Sequence, residues 1–156
     1  MATKHKKKEI INEPVILNGK SIFNFSNGSK YEGEWISIDN VKYRHGFGIF
    51  IGNNEKYEGN WDNDNMDGYG EYTFASGAVY KGNFIKNLFN GEGLYIFPDG
   101  SKYQGQWENN KIHGEGEYTT SDNVKHIGTF VNGNYDTGSS IIPINQLNKL
   151  QIENKT

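Results

Sequence analysis

The chain has 156 residues, 34% hydrophobic and 14% aromatic, with twenty glycines, no cysteine and a net charge of −3. That apolar fraction is below the roughly 45–50% of an ordinary globular domain and excludes a thick two-layer core. The absent cysteines exclude disulfides and thiolate chemistry, and no apolar run approaches the ~18 residues of a membrane-spanning helix.

Residues 1–13 are net basic, with Lys4, Lys6, Lys7 and Lys8 against Glu9 and Glu13. No apolar stretch follows the lysines, so they are not a secretory signal, and Ala2 stands where N-myristoylation needs a glycine. The expectation is a flexible, solvated tail on an intracellular chain. The alternative is that these four lysines attract anionic lipid at about 1 kcal/mol each near the surface, a weak anchor without an acyl chain. The glycosylation-like triplets at Asn24, Asn27 and Asn154 are idle in an intracellular protein. The remainder of the chain is mildly acidic, which argues against nucleic acid as partner. The preference for Lys over Arg and the abundance of Asn read as the base composition of an AT-rich genome.

Residues 14–138 read as one array. Gly19, Ser21, Phe23 and Phe25 alternate and predict a leading strand that ends at an Asn27-Gly28 turn. Then comes Tyr31-Glu32-Gly33-Glu34-Trp35. The phrase recurs as Tyr57-Glu58-Gly59-Asn60-Trp61, Tyr80-Lys81-Gly82-Asn83-Phe84, Tyr103-Gln104-Gly105-Gln106-Trp107 and His126-Ile127-Gly128-Thr129-Phe130, the last four at a spacing of 23 residues. A fixed period of this size marks a repeat architecture. Each phrase is followed by a polar step and a second alternating stretch, such as Gly91-Glu92-Gly93-Leu94-Tyr95-Ile96-Phe97. Ser76-Gly77 and Asp99-Gly100 then reverse the chain into the next unit. Each unit is therefore one hairpin, and successive hairpins continue one antiparallel sheet. Where a strand presents glycine, a ring can lie across the bare backbone; Trp61 over the Gly68/Gly70 strand is the expected case. Cross-strand aromatic pairs contribute roughly 0.2–1 kcal/mol each, so stability sums along the array.

Two stretches depart from the period. Unit one has four extra residues between Trp35 and Gly46, which predicts a loop around Ser37–Arg44 bulging from one edge. Unit five opens on His126 and loses its Gly-x-Gly pair, as a terminal capping unit would. Residues 139–156 form the capping segment: Pro143 is expected to stop the sheet, and Ile144, Leu147, Leu150 and Ile152 predict a short helix over 144–152.

No catalytic or metal constellation emerges. His5, His45, His113 and His126 have no ligand spacing, and His45 and His113 precede glycines where they serve a turn. Glu115 and Glu117 are solubilising. The Gly-x-Gly pairs recur with the sheet and do not open a helix, so they are not phosphate loops. The acidic run Asp62–Gly68 fails as a calcium loop, because the twelfth position is Phe74. No enzyme activity, metal or cofactor is expected. The candidate site is the aromatic face: Tyr31, Trp35, Tyr57, Trp61, Tyr72, Tyr80, Phe84, Tyr95, Tyr103 and Trp107. These rings either pack only on one another and on the glycines, or leave a strip able to hold a partner helix or extended segment. The open edge strands are a further site for self-association.

The Tyr-x-Gly-x-Trp phrase, the short step and the Gly-x-Gly pair resemble the MORN repeat (membrane occupation and recognition nexus) over about residues 18–138. Residues 66–119 are similar to a small animal member of that family. The resemblance implies an all-β, single-layer antiparallel sheet of consecutive hairpins, elongated, with the short C-terminal helix as cap. It also implies a non-catalytic structural or adaptor protein of a cytoskeletal assembly, placed in the cytoplasm at a cilium, flagellar axoneme or basal body, with other proteins of that complex as partners. Peripheral binding to an anionic membrane, or a soluble adaptor role in phagocytic or germ-cell pathways, are the alternatives it leaves.

Overall fold

A computed structural model describes residues 15–147. Twelve strands follow in chain order: β1 (Ile16–Asn24), β2 (Lys30–Ile38), β3 (Val41–Gly52), β4 (Glu55–Asp62), β5 (Asn65–Thr73), β6 (Val79–Ile85), β7 (Leu88–Ile96), β8 (Lys102–Glu108), β9 (Lys111–Thr119), β10 (Lys125–Val131), β11 (Asn134–Asp136) and β12 (Ile141–Pro143). A helix α1 (Ile144–Leu147) closes the described chain. The strands make one antiparallel sheet, each paired with its neighbour in sequence.

Two kinds of turn alternate, except that β3 and β4 are joined by a two-residue reversal at Asn53-Asn54. At one end of the strands, two-residue reversals at Asp39-Asn40, Asn63-Asp64, Lys86-Asn87, Asn109-Asn110 and Asn132-Gly133 hold positive φ at both positions. That is the hairpin geometry whose twist matches the strands, and Asn and Asp tolerate it best. Much of the asparagine that reads as base composition therefore has a backbone reason. At the other end, Phe74 N–H donates to the Ala78 carbonyl at 2.9 Å and Gly77 closes the loop at φ 86°, and Phe25/Ser29 and Phe97/Ser101 repeat the pattern.

A bulge recurs in each of the first four units, where the register shifts between Gly33 and Trp35, Gly59 and Trp61, Gly82 and Phe84, and Gly105 and Trp107. The expected loop around Ser37–Arg44 is absent. The four extra residues lengthen β2 and β3 into paired strand (Ser37 opposite Lys42, Ile38 opposite Val41), because Ile36, Ile38, Val41 and Tyr43 continue the alternation. The sheet ends at Pro143 as expected, the last residue of β12, which still pairs opposite Asn134. The predicted helix begins at Ile144 as expected, and the part expected over residues 148–152 lies outside the described residues, as do Lys4, Lys6, Lys7 and Lys8. The core lies on one face of the sheet and is closed at the C-terminal end by the fully buried Leu147.

Candidate functional site

The repeated phrase is a ring-on-backbone device. The Tyr57 ring lies across Gly59 of its own strand and Gly70 of the next: a Cβ at Gly70 would sit 2.6 Å from the ring, and one at Gly59 2.6 Å from its hydroxyl. The bulge after Gly59 turns the Asn60 carbonyl toward that hydroxyl, which donates to it at 2.8 Å. Tyr31, Tyr80 and Tyr103 do the same with the carbonyls of Glu34, Asn83 and Gln106 at 2.6, 2.9 and 3.1 Å. All four rings are fully buried. Burial pushes the Tyr31 and Tyr103 hydroxyls up to about 12, and those of Tyr57 and Tyr80 up still further.

The indole of Trp61 faces the other way from the expectation. Its Nε1 donates to the Gly48 carbonyl of β3 at 3.2 Å, and its ring meets Tyr31 edge-on at 5.6 Å. The Gly68/Gly70 strand is already covered by Tyr57, so from the second unit on the tryptophan or phenylalanine packs back on the tyrosine of the unit before. Phe84 on Tyr57, Trp107 on Tyr80 and Phe130 on Tyr103 repeat this at 5.1, 5.3 and 5.0 Å. In the fifth unit the residue over Gly128 comes from β11: Tyr135 donates to the Ile127 carbonyl at 3.0 Å, doing from the next strand what the tyrosine replaced by His126 does elsewhere.

Of the candidate residues, Tyr31, Tyr57, Trp61, Tyr80, Phe84, Tyr103 and Trp107 are thus built into the core, while Trp35, Tyr72 and Tyr95 keep part of their surface. Tyr72 donates to the Glu55 carboxylate at 2.7 Å, and burial with that hydrogen bond raises its hydroxyl to about 12. Trp35 is special because no tyrosine precedes it. Its indole lies over Gly19 and donates to Ser21 Oγ at 3.1 Å, which accounts for serine where other units carry glycine. With no tyrosine against it, Trp35 borders a groove of about 600 Å³ lined by Phe23, Trp35, Lys42, Arg44 and Phe50.

Lys42, Arg44, Phe23 and Phe50 are site residues that the repeat pattern does not reveal. Lys42 and Arg44 fall in the stretch that breaks the period. The Arg44 guanidinium lies 4.1 Å from the Trp61 ring and is held by Asp64 at 2.9 Å. Lys42 Nζ sits 4.1 Å over the Trp35 ring and 5.6 Å from Phe23, with no carboxylate partner among the described residues. The groove therefore offers aromatic walls and one uncommitted cation.

The acidic run is committed to the fold. Asp64 holds Arg44, Asp62 lies 3.2 Å from His45, and Asp67 accepts the Lys86 N–H at 3.1 Å. Among the described residues no three His, Asp or Glu side chains converge to hold a metal, and no helix is long and apolar enough to cross a membrane.

Comparison with known proteins agrees with the repeat boundaries. A family model described as the MORN repeat matches residues 57–79, 80–102 and 103–125, each match beginning at the tyrosine that lies over the glycine pair. No curated protein matches the chain. Among solved structures, the TCP domain of Drosophila melanogaster SAS-4 (dCPAP), in complex with a proline-rich motif of Ana2 (dSTIL), aligns with 83% of this chain and 86% of that one at 12% identity; its TM-score of 0.38 carries no argument. The period, the bulge and the family match coincide: residues 57–125 of this chain are three MORN repeats.

Proposed function

We propose that this protein is a non-catalytic interaction module whose N-terminal groove holds an extended segment of a partner protein, with an apolar side chain against Trp35 and a carboxylate on Lys42. MORN repeats are generally non-catalytic modules for protein interaction or membrane binding. The observation that favours a protein segment is Lys42: a cation held over indole with no carboxylate partner among the described residues, in a groove whose walls include Phe23, Trp35 and Phe50 and whose other charges, Arg44 and Asp64, are paired with each other. Aromatic walls with one fixed charge suit a short acidic-aromatic or acidic-aliphatic motif. The same features suit lipid poorly, since a headgroup-binding surface needs several cations near one plane.

The resemblance to a family frequent in ciliary and cortical structures supports a structural adaptor of a cytoskeletal assembly, such as an axoneme or basal body; a similarity of residues 66–119 to a small animal member of the family would point instead to the alternative, a soluble phagocytic or germ-cell adaptor. The test is to recover the full chain and its Lys42→Glu variant from its own cells by cross-linking and mass spectrometry. Lys42 is exposed and outside the core, so the variant should keep its circular dichroism while partner recovery falls by about ten-fold, equivalent to 1.4 kcal/mol. Recovery at the wild-type level would exclude the groove. Loss of phosphatidylserine vesicle binding on replacing Lys4, Lys6, Lys7 and Lys8 would instead favour a membrane role.

A further inference from the structure

The leading strand β1 ends the sheet, and among the described residues nothing pairs with its outer edge. Its phase is fixed at both ends: Phe25 N–H donates to Ser29 and Asp39 N–H donates to the Val15 carbonyl. Odd-numbered residues therefore turn their peptide groups toward β2. The even-numbered residues Ile16, Asn18, Lys20 and Ile22 present free N–H and C=O groups outward. The same four side chains lie on the sheet face opposite the aromatic core, and Ile16 and Ile22 are 57% and 56% exposed. An edge of this kind is a template for another strand, and its usual guards are weak here. Lys20, the charge that would repel a second strand, is paired with Glu34 at 3.0 Å.

The pattern of β1 is complementary to itself. Laid antiparallel about a two-fold axis through Gly19, two copies place Ile16 opposite Ile22 twice and Asn18 opposite Lys20 twice. All four outward-facing residues of each strand form hydrogen-bonded pairs, about eight inter-chain bonds in all. Shifting the register by one pair either sets Lys20 against Lys20 or sets Ile16 against Lys20, so charge and hydrophobic matching select the centred register. Among the described residues the opposite edge offers no equivalent. β12 has only three residues, and one of them, Pro143, lacks an N–H. A head-to-tail filament is thus disfavoured and a closed two-fold dimer is left.

We propose that two copies of this chain pair β1 to β1 about Gly19, continuing the two sheets as one and setting both aromatic grooves on the same face. The inference stands apart from what the groove binds. If the groove does hold a partner, its consequence is bivalent capture by the dimer.

Sedimentation equilibrium of the full chain over a dilution series tests it, with two substitutions at the exposed Asn18. Asn18→Lys sets a cation against Lys20 of the second copy and should raise the dimer dissociation constant at least ten-fold. Asn18→Glu sets an anion there and should lower it. Opposite responses cannot come from misfolding, which would weaken both. A monomer at the highest soluble concentration overturns the proposal. So does a dimer whose dissociation constant neither substitution moves, or assembly that grows beyond two copies. Binding of a foreign strand by a monomeric chain would show that the edge serves another protein.

Discussion

At the scale of single residues, the tyrosine of each of the first four units carries three tasks at once. It covers a glycine pair, satisfies a carbonyl released by a bulge, and serves as the platform for the next unit's tryptophan or phenylalanine. All of them need the neutral phenol. In the unfolded chain these hydroxyls ionise near 10, whereas in the fold burial holds Tyr31 and Tyr103 at about 12 and Tyr57 and Tyr80 beyond. The unfolded state therefore loses protons first, so the stabilisation is complete below pH 10 and is lost as the pH rises toward and past 12. The melting temperature should fall steeply over that window, and tyrosinate absorbance of the buried rings should appear together with unfolding. A flat stability profile across the window would contradict the buried hydrogen bonds. The sequence makes the ring-glycine pairing visible, since both recur in register. It hides which ring lies on which glycine. Alternation puts Tyr57 and Trp61 on one face, and only the bulge after Gly59 decides that the tyrosine takes its own strand's pair and the tryptophan reaches back to Gly48.

At the scale of the hairpin, the two-residue turns form a second ladder along one margin of the sheet. Asp64 N–H donates to the Arg44 carbonyl while its Oδ1 accepts the Arg44 N–H. Asn87 repeats this on Met66 and Asn110 on Phe89, with side-chain bonds of 2.8, 2.8 and 2.7 Å. Each turn thereby clamps the strand of the unit before it, a role that a polar loop step does not suggest. The readable sign is Asp or Asn at the second turn position every 23 residues. Asn87→Ala removes the clamp and leaves a β-carbon residue at φ 70°, so it should cost about 2 kcal/mol, the sum of a lost hydrogen bond and left-handed backbone strain. Asn87→Gly keeps the backbone but not the bond and should recover part of that loss. Urea midpoints at constant slope would measure both. The missing loop in unit one teaches a related point. Counting residues cannot separate a loop from an extended hairpin, whereas the alternation of Ile36, Ile38, Val41 and Tyr43 could have done so.

For the whole molecule, every strand pairs only with its neighbours in sequence, so stability is nearly a sum of local terms and end effects travel a short way. The C-terminal end is closed by Leu147, which packs into the same cluster as Phe130 and Tyr135. Leu147→Ala should destabilise by about 3 kcal/mol. Its signature should be spatial: hydrogen exchange should quicken in β9 to β12 while β1 to β4 keep their protection. Uniform acceleration would mean the sheet unfolds as one body. Architecture was legible at this scale because the period repeats it several times. The groove was not, because it exists where the period begins and Trp35 lacks the preceding tyrosine that covers its equivalents. A feature caused by the end of a pattern is invisible to a search for the pattern.

Strand order that follows chain order also sets how the protein bears load. Tension applied between residues 15 and 147 enters at β1 and leaves through α1 and β12, across every ladder in series. Hydrogen bonds so loaded open one after another, as in a zipper, and the weakest link governs. The short C-terminal ladders, β10–β11 with two residue pairs and β11–β12 with three, would yield first at low force, leaving the aromatic units before them intact as a compliant tether.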